Sequence, residues 1–348
     1  MDLILLKSAI RAVTLAGVRP RRGTALPDRA RVLLLRHDRI GDALLSTCFL
    51  DALARHRPGW KVDLLLGRDN LRVLDGRAEI GRRWCYDRRA LNTFRLARAL
   101  RAERYDLAID LMNHPSLTSS VFMRLMRPRL SAGFHEERRG FPFDIPVPAQ
   151  PRSTVHIVKR LGELLRALGC PAPDDELRLR FEPTAAARAR ARAVLEPLRA
   201  GGARLCGVNT SAGALDRFWG AENYRAFLLG AARRFPGQRF VVFAVPAEMD
   251  RAARIADRVS GAVLAPPTGS FDEFAATIEG MDSVLTPDTS VVHLCAAFGI
   301  PEVVLYADEN KALVWAPWGV EHRALIARRG MESIPASEAV DAWSELVR

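Results

Sequence analysis

Two short stretches of this chain hold residue types whose spacing suits chemistry on a charged substrate. Residues 283–306 read SVLTPDTSVVHLCAAFGIPEVVLY: an apolar run, the polar triplet Asp288-Thr289-Ser290, a second apolar run, then Gly299 and Pro301. The pattern predicts a buried strand over 283–286, a helix over 289–298 and a strand over 303–306. The triplet then sits at the carboxyl end of a strand, the edge at which open parallel sheets bind ligands. First-turn amides of a helix have no partner within it and lie at the positive end of its dipole, so an anion is the expected guest. His293 falls within the first helical turn, close to that edge. The competing reading is an ordinary strand–helix–strand unit with Asp288 or Thr289 as its cap.

The second stretch is RHDRIGD, residues 36–42. It follows RVLLL, a continuous apolar run of the kind that forms a buried parallel strand. A helix is expected from about 42 to 56, stopped by Pro58 and Gly59. The loop has one glycine and no G-x-G-x-x-G, so the dinucleotide fingerprint is absent. It offers Arg36, His37, Asp38 and Arg39, with Asp42 at the helix start. Asp42 is either a cap or a carboxylate placed to act as a general base. Arg36 and Arg39 would keep it ionised or grip an anionic acceptor. The exit loop of a further strand over 105–111 brings His114 to the same sheet edge. The proline- and arginine-rich residues 133–153 read as one long functional loop, in which Arg138 and Arg139 are candidates for an anionic acceptor.

These residues need a scaffold, and the chain supplies two alternating strand–helix series. In the first, strands are expected at 31–35, 61–66, 105–111 and 129–132, with helices at 93–102, 118–126 and 153–168. In the second, strands at 205–209, 239–245, 262–265, 283–286 and 303–306 alternate with helices at 222–234, 248–259, 271–279 and 289–298. Such alternation implies α/β architecture, two doubly wound Rossmann-like domains facing across a cleft. The expected division is a basic amphipathic helix and linker at 1–30, an acceptor-binding domain at 31–182 and a nucleotide-sugar domain at 183–348. The last helix, 336–347, has the option of packing back on the first domain.

Composition narrows the partners. Of 348 residues, 49% are hydrophobic and 26% charged, with a formal charge of +12, which is globular and strongly basic. Arginines are spread over every expected helix and no nucleic-acid motif appears, so nucleic acid is not the expected partner. The amphipathic segment 1–22, with Leu3, Leu6, Ile10 and Val13 on one face, could rest on an anionic membrane, on a partner or on the protein itself. Five dispersed cysteines without a C-x-x-C pair suit a reducing compartment. No metal motif, membrane-length apolar run or signal peptide is evident, so a cytoplasmic protein without a metal or other cofactor is expected.

IGDALLSTCFLDAL after RVLLLR, DRFWG after VNTS, and LTPDTSVVHLCAAFGIPEVVLY together resemble glycosyltransferase family 9, the heptosyltransferases of the lipopolysaccharide inner core, over about residues 31–347. The resemblance implies a GT-B fold, an ADP-heptose-type donor, a glycan or glycolipid acceptor, and inverting transfer without a metal. It implies that Asp42 is the catalytic base and that Thr210 and Ser211 lie near the diphosphate. Arg217 stands in the usual lysine position before Trp219, Glu248 would reach the ribose, and Asp288, Thr289, Ser290 and His293 would face the diphosphate and sugar. The chain departs from the family pattern at Ser290, in place of glycine, and at Gly220, in place of proline. A non-catalytic or differently specific nucleotide-sugar-binding protein of the same fold is the alternative.

Overall fold

The computed structural model describes residues 12–21, 23, 25–136, 140–149 and 154–348. The chain divides into two compact units, Met1–Leu177 and Arg178–Arg348. That boundary lies a little ahead of the expected division at residue 183. Each unit is built on a six-stranded, wholly parallel sheet.

In the first unit the strands are β1 (Ala30–Arg36), β2 (Trp60–Gly67), β3 (Ile80–Tyr86), β4 (Leu107–Asp110), β5 (Leu130–His135) and β6 (Ile145–Pro148), in spatial order β3-β2-β1-β4-β5-β6. Helices α1 (Ile40–His56), α2 (Ala90–Ala102), α3 (Leu117–Met126) and α4 (Ile157–Ala167) connect or cover them. Val32 to Leu35 are fully buried, as a central strand covered on both faces requires. The chain winds outward from β1 through β2 to β3, then returns to place β4 on the other side of β1. The direction of winding therefore reverses between β1 and β4, where such sheets open a crevice.

The second unit repeats this plan. Strands β7 (Leu205–Asn209), β8 (Arg239–Phe243), β9 (Ala262–Leu264), β10 (Ser283–Pro287), β11 (Glu302–Tyr306) and β12 (His322–Ile326) lie in the order β12-β11-β10-β7-β8-β9. The reversal falls between β7 and β10. Helices α5 (Ala185–Leu195), α6 (Ala221–Arg234), α7 (Met249–Ala256), α8 (Phe271–Glu279), α9 (Ser290–Phe298), α10 (Glu309–Val314) and α11 (Ala336–Val347) complete the unit. Its core is aromatic: Trp219, Tyr224, Phe227, Phe240 and Trp343 are buried together.

Several expectations are corrected. Residues 133–153 are not one long loop: β5 runs on to His135 and β6 pairs with it in parallel. Pro146 and Pro148 concealed β6, yet proline is tolerated on an edge strand. The closing helix α11 packs within its own unit. Ala339, Val340 and Trp343 bury against α6 and the second sheet, and the Trp343 indole N–H donates to Ser283 Oγ at 3.0 Å. Most of the expected N-terminal helix lies outside the described residues. Its end is helical over 12–15, with Leu15 and Val18 against the first unit's core and Val13 74% exposed.

Glu302 is a strained guest in this second core. It is wholly buried in β11, and neither carboxyl oxygen has a hydrogen-bond partner of good geometry. Burial holds its proton affinity well above the ordinary carboxylate range, and the same burial raises the neighbouring Cys295 thiol. The unfolded chain loses this proton near pH 4.5 while the folded chain keeps it. Stability is therefore highest below that pH and falls as pH rises towards the folded value. Glu302→Gln removes the slope. The variant should be more stable than the parent by about 1–3 kcal/mol at pH 8 and nearly equal at pH 4, measured by urea unfolding at both pH values.

Candidate functional site

At the carboxyl edge of β1 the chain turns through 37–39 into α1. Asn70 braces this turn, its amide donating to the Arg36 carbonyl at 2.9 Å while its Oδ1 accepts from Gly67 N–H at 2.8 Å. Arg39, not Asp42, is the cap residue of α1, and it makes no side-chain cap bond. Asp42 is the third helical residue, where the helix dipole favours a carboxylate. It is buried, and Arg36 is more so, at 1% exposure.

Arg36 organises the cluster. Its Nε donates to Ser46 Oγ at 2.8 Å, and its Nη1 lies 3.1 Å from Asp38 Oδ2 and 3.7 Å from Asp42 Oδ1. Burial, reinforced by the charge of Asp38, pushes the Asp42 carboxyl up to about 7; Arg36 and the exposed Arg39 oppose that rise. Such a group is half ionised at neutral pH, which suits a general base. Arg36 is thus placed as a counter-ion to the acids, its guanidinium closed off from solvent.

Sequence reasoning missed the second half of this cluster. Across the switch point, Asp110 ends β4 and accepts from Met112 N–H at 3.1 Å and from Ser119 Oγ at 3.0 Å. Burial raises its carboxyl to about 7 as well. Ser119 also meets His37 Nε2 at 3.2 Å, and burial lowers His37 to about 4, so that ring is neutral at pH 7. An aspartate ending an apolar strand was the available signal. His114 is half-buried beside Asn113, its Nδ1 2.8 Å from the amide oxygen. Arg138 and Arg139 lie outside the described residues.

In the second unit, β7 and β10 end side by side. Asn209 Nδ2 donates to Thr286 Oγ1 at 3.0 Å and to Thr289 Oγ1 at 3.1 Å, fastening the two strand ends. Thr289 is the cap of α9, accepting from Val291 N–H at 3.3 Å. Ser290 opens that helix, half-buried, and Asp288 precedes it. Arg217 Nη1 sits 3.4 Å from the Asp288 carbonyl oxygen and 3.7 Å from Asp288 Oδ2, so the cation and the helix start converge. His293 is buried beside Trp315, ring centroids 6.3 Å apart.

The hydroxyl pair splits in role. Thr210 is fully buried and donates to the Phe243 carbonyl at 2.9 Å, tying β7 to β8 at the strand end where the diphosphate was expected. Ser211 Oγ donates to Glu248 Oε2 at 2.7 Å and accepts from Val245 N–H at 2.8 Å. Glu248 also pairs with Arg251 at 2.9 Å, and the Arg251 guanidinium lies 4.0 Å over the Phe218 ring. Asn209, Arg251 and Phe218 were not anticipated; the Glu248-to-Arg251 spacing of one helical turn was the only hint. Trp219 is core, its indole N–H donating to the Ile334 carbonyl at 2.9 Å. Gly220 has φ +98°, which proline cannot adopt, so this departure from the expected pattern is a backbone requirement.

Residues 93–341 match the family model described as Glycosyltransferase family 9 (heptosyltransferase), which spans well over half of the chain. The chain belongs to glycosyltransferase family 9. This family 9 chain is accordingly a glycosyltransferase. It is 24% identical to Lipopolysaccharide heptosyltransferase 3 of Escherichia coli over 294 residues, covering 80% of this chain and 83% of that protein. Among solved structures, a family 9 glycosyl transferase from Veillonella parvula DSM 2008 superposes with TM-score 0.80 at 18% identity, covering 93% of this chain and 98% of the other. E. coli heptosyltransferase WaaC with ADP gives 0.72 at 20% identity, with 91% and 100% covered. These likenesses establish the GT-B fold of the chain, each unit supplying one Rossmann-like domain. Asp42 lies ahead of the stretch matched by the family model.

Proposed function

We propose that this transferase moves a heptose from ADP-heptose to the lipopolysaccharide core or another cell-envelope glycan, with inversion and without a metal, at the cytoplasmic face of the inner membrane. The observation that carries the reading is Asp42, a buried carboxyl at the carboxyl edge of β1 that titrates near 7 beside the Arg36 guanidinium. In the proposed step the acceptor hydroxyl oxygen bonds to the anomeric carbon of the sugar. Its proton passes to Asp42 Oδ, and the bond from that carbon to the diphosphate oxygen breaks. One displacement inverts the centre. The electron pair leaves on ADP, whose added negative charge is met by Arg217 and by the amides that open α9. Glu248, held by Ser211 and Arg251, is the proposed ribose partner.

The support for ADP-heptose is family membership and the solved relative that carries ADP. Calorimetry with ADP-, GDP- and UDP-sugars tests it, and ADP-heptose should bind most tightly. Arg217→Ala should weaken that binding by about 10- to 100-fold, since a charged hydrogen bond contributes about 1.5–3 kcal/mol. ADP should appear only when acceptor is added; release without acceptor would instead indicate a differently specific protein of the same fold. Turnover should survive EDTA, and a strict requirement for an added divalent cation would remove the metal-independent step.

A further inference from the structure

Helix α2 buries Ala97 and Leu100 and turns its other side to solvent. On that side Leu91 is 75% and Phe94 63% exposed, two of the largest apolar exposures in the described chain. Arg95, Arg98 and Arg101 continue the exposed stripe at spacings of three and four, and Arg88 and Arg89 precede the helix. Residues 88–102 contain no acid. The flanking acids are occupied, Asp87 by Asn92 and the Arg89 amide, and Glu103 by Arg31 and Arg82. Among the described residues none of these five arginines has an ion-pair partner.

The stripe opens beside the Asp42 cluster. Tyr86, the last residue of β3, pairs with Gly67, while Leu66 of β2 pairs with Arg36. The His37 and Tyr86 rings meet edge-on at 5.5 Å, and α2 begins four residues later. Its first turn therefore rises from the sheet edge that carries Asp42.

We propose that the first two turns of α2 dock on an anionic lipid bilayer. Leu91 and Phe94 enter the boundary between headgroups and acyl chains, and Arg88, Arg89, Arg95 and Arg98 take the phosphate headgroups. Adjacent large apolar side chains within a field of arginine are the composition of helices that lie in a membrane interface. Nucleic acid would be served by the arginines but has no use for an exposed leucine. A protein groove would need a longer apolar stripe than two residues. No helix among the described residues is long and apolar enough to cross a membrane, so contact here is peripheral. Docking by this edge presents Asp42 towards a lipid-borne acceptor.

Flotation of the full chain with phosphatidylglycerol-containing vesicles and with pure phosphatidylcholine vesicles tests this without turnover, so failure of the transferase reading would not affect it. Binding should favour the anionic vesicles by at least about tenfold and weaken with salt. Leu91→Ser with Phe94→Ser, and separately Arg95→Glu with Arg98→Glu, should each lose about tenfold or more while melting temperature and nucleotide binding hold. Arg88→Gly removes one charge at a φ of +64° that glycine adopts freely, so its weaker binding cannot be ascribed to misfolding. Vesicle binding unchanged in these variants would overturn the proposal and move the contact elsewhere, such as residues 1–22. So would a wild-type chain that ignores anionic vesicles, or a self-association or nucleic-acid affinity that the variants abolish while vesicle binding stays.

Discussion

Asp42→Asn is expected to cut turnover by roughly 10²- to 10⁴-fold while leaving nucleotide-sugar binding within about twofold, the loss that removal of a general base produces. Asparagine keeps the shape of the side chain and cannot take the proton. In the parent enzyme the rate should fall on the acid side of an inflection near pH 7, because burial and Asp38 push Asp42 up to about 7. Below that point each pH unit should cost about tenfold. Asp38→Asn removes the like charge, so the inflection should move to lower pH. The sign for stability runs opposite to that for activity. Asp42 is protonated more readily in the folded chain than in the unfolded one, whose value is near 3.8. Its contribution is therefore complete below pH 3.8 and lost as pH rises through 7. Asp42→Asn should consequently be at least as stable as the parent at pH 8, which separates lost chemistry from lost fold. Turnover within threefold of the parent would remove Asp42 from the role of base.

Much of the framework was legible because central parallel strands advertise themselves. The middles of these strands, residues 32–35, 107–109 and 303–306, are buried on both faces, so they read as short apolar runs. The strands that were missed, β3, β6 and β12, are all at sheet edges. IGRRWCY carries two successive arginines and IPVP carries two prolines, devices that protect an edge and erase its pattern. The polar loops were legible for the same reason in reverse, since they interrupt apolar runs at strand ends.

Contacts formed at a distance in sequence were not legible. Asp42 could be named from local context and Arg217 from the family resemblance, but the partnership of Asp110, Ser119 and His37 depends on β4 lying beside β1. Thr210 and Ser211 are neighbours with opposite fates, because successive residues of extended chain point to opposite sides. One hydroxyl was therefore turned onto the Phe243 carbonyl and the other onto Glu248. The positive φ at Gly220 likewise belongs to the folded backbone and has no mark in the sequence beyond glycine itself.

Arg36→Met should be the most destabilising single change at the first site. The guanidinium is 1% exposed and is the cation that faces both Asp38 and Asp42 from within the cluster. Removing it leaves two acids in a poorly solvated place, and breaking a buried charge arrangement in this way costs about 3–5 kcal/mol. For a unit of this size the melting temperature should fall by about 10 °C. The proton affinity of Asp42 should rise further, so residual activity should appear only above neutral pH. Arg36→Lys should recover part of the stability and little of the activity, because a lysine cannot reproduce the fork that holds Ser46 through Nε and the acids through Nη1. Combining Arg36→Met with Asp38→Asn should regain some of the lost stability, since one orphaned charge is gone and the two sites are coupled. A melting temperature unchanged by Arg36→Met would mean that the acids are already neutral in the folded chain. In that event Asp42 would lack the ionised form that proton transfer requires.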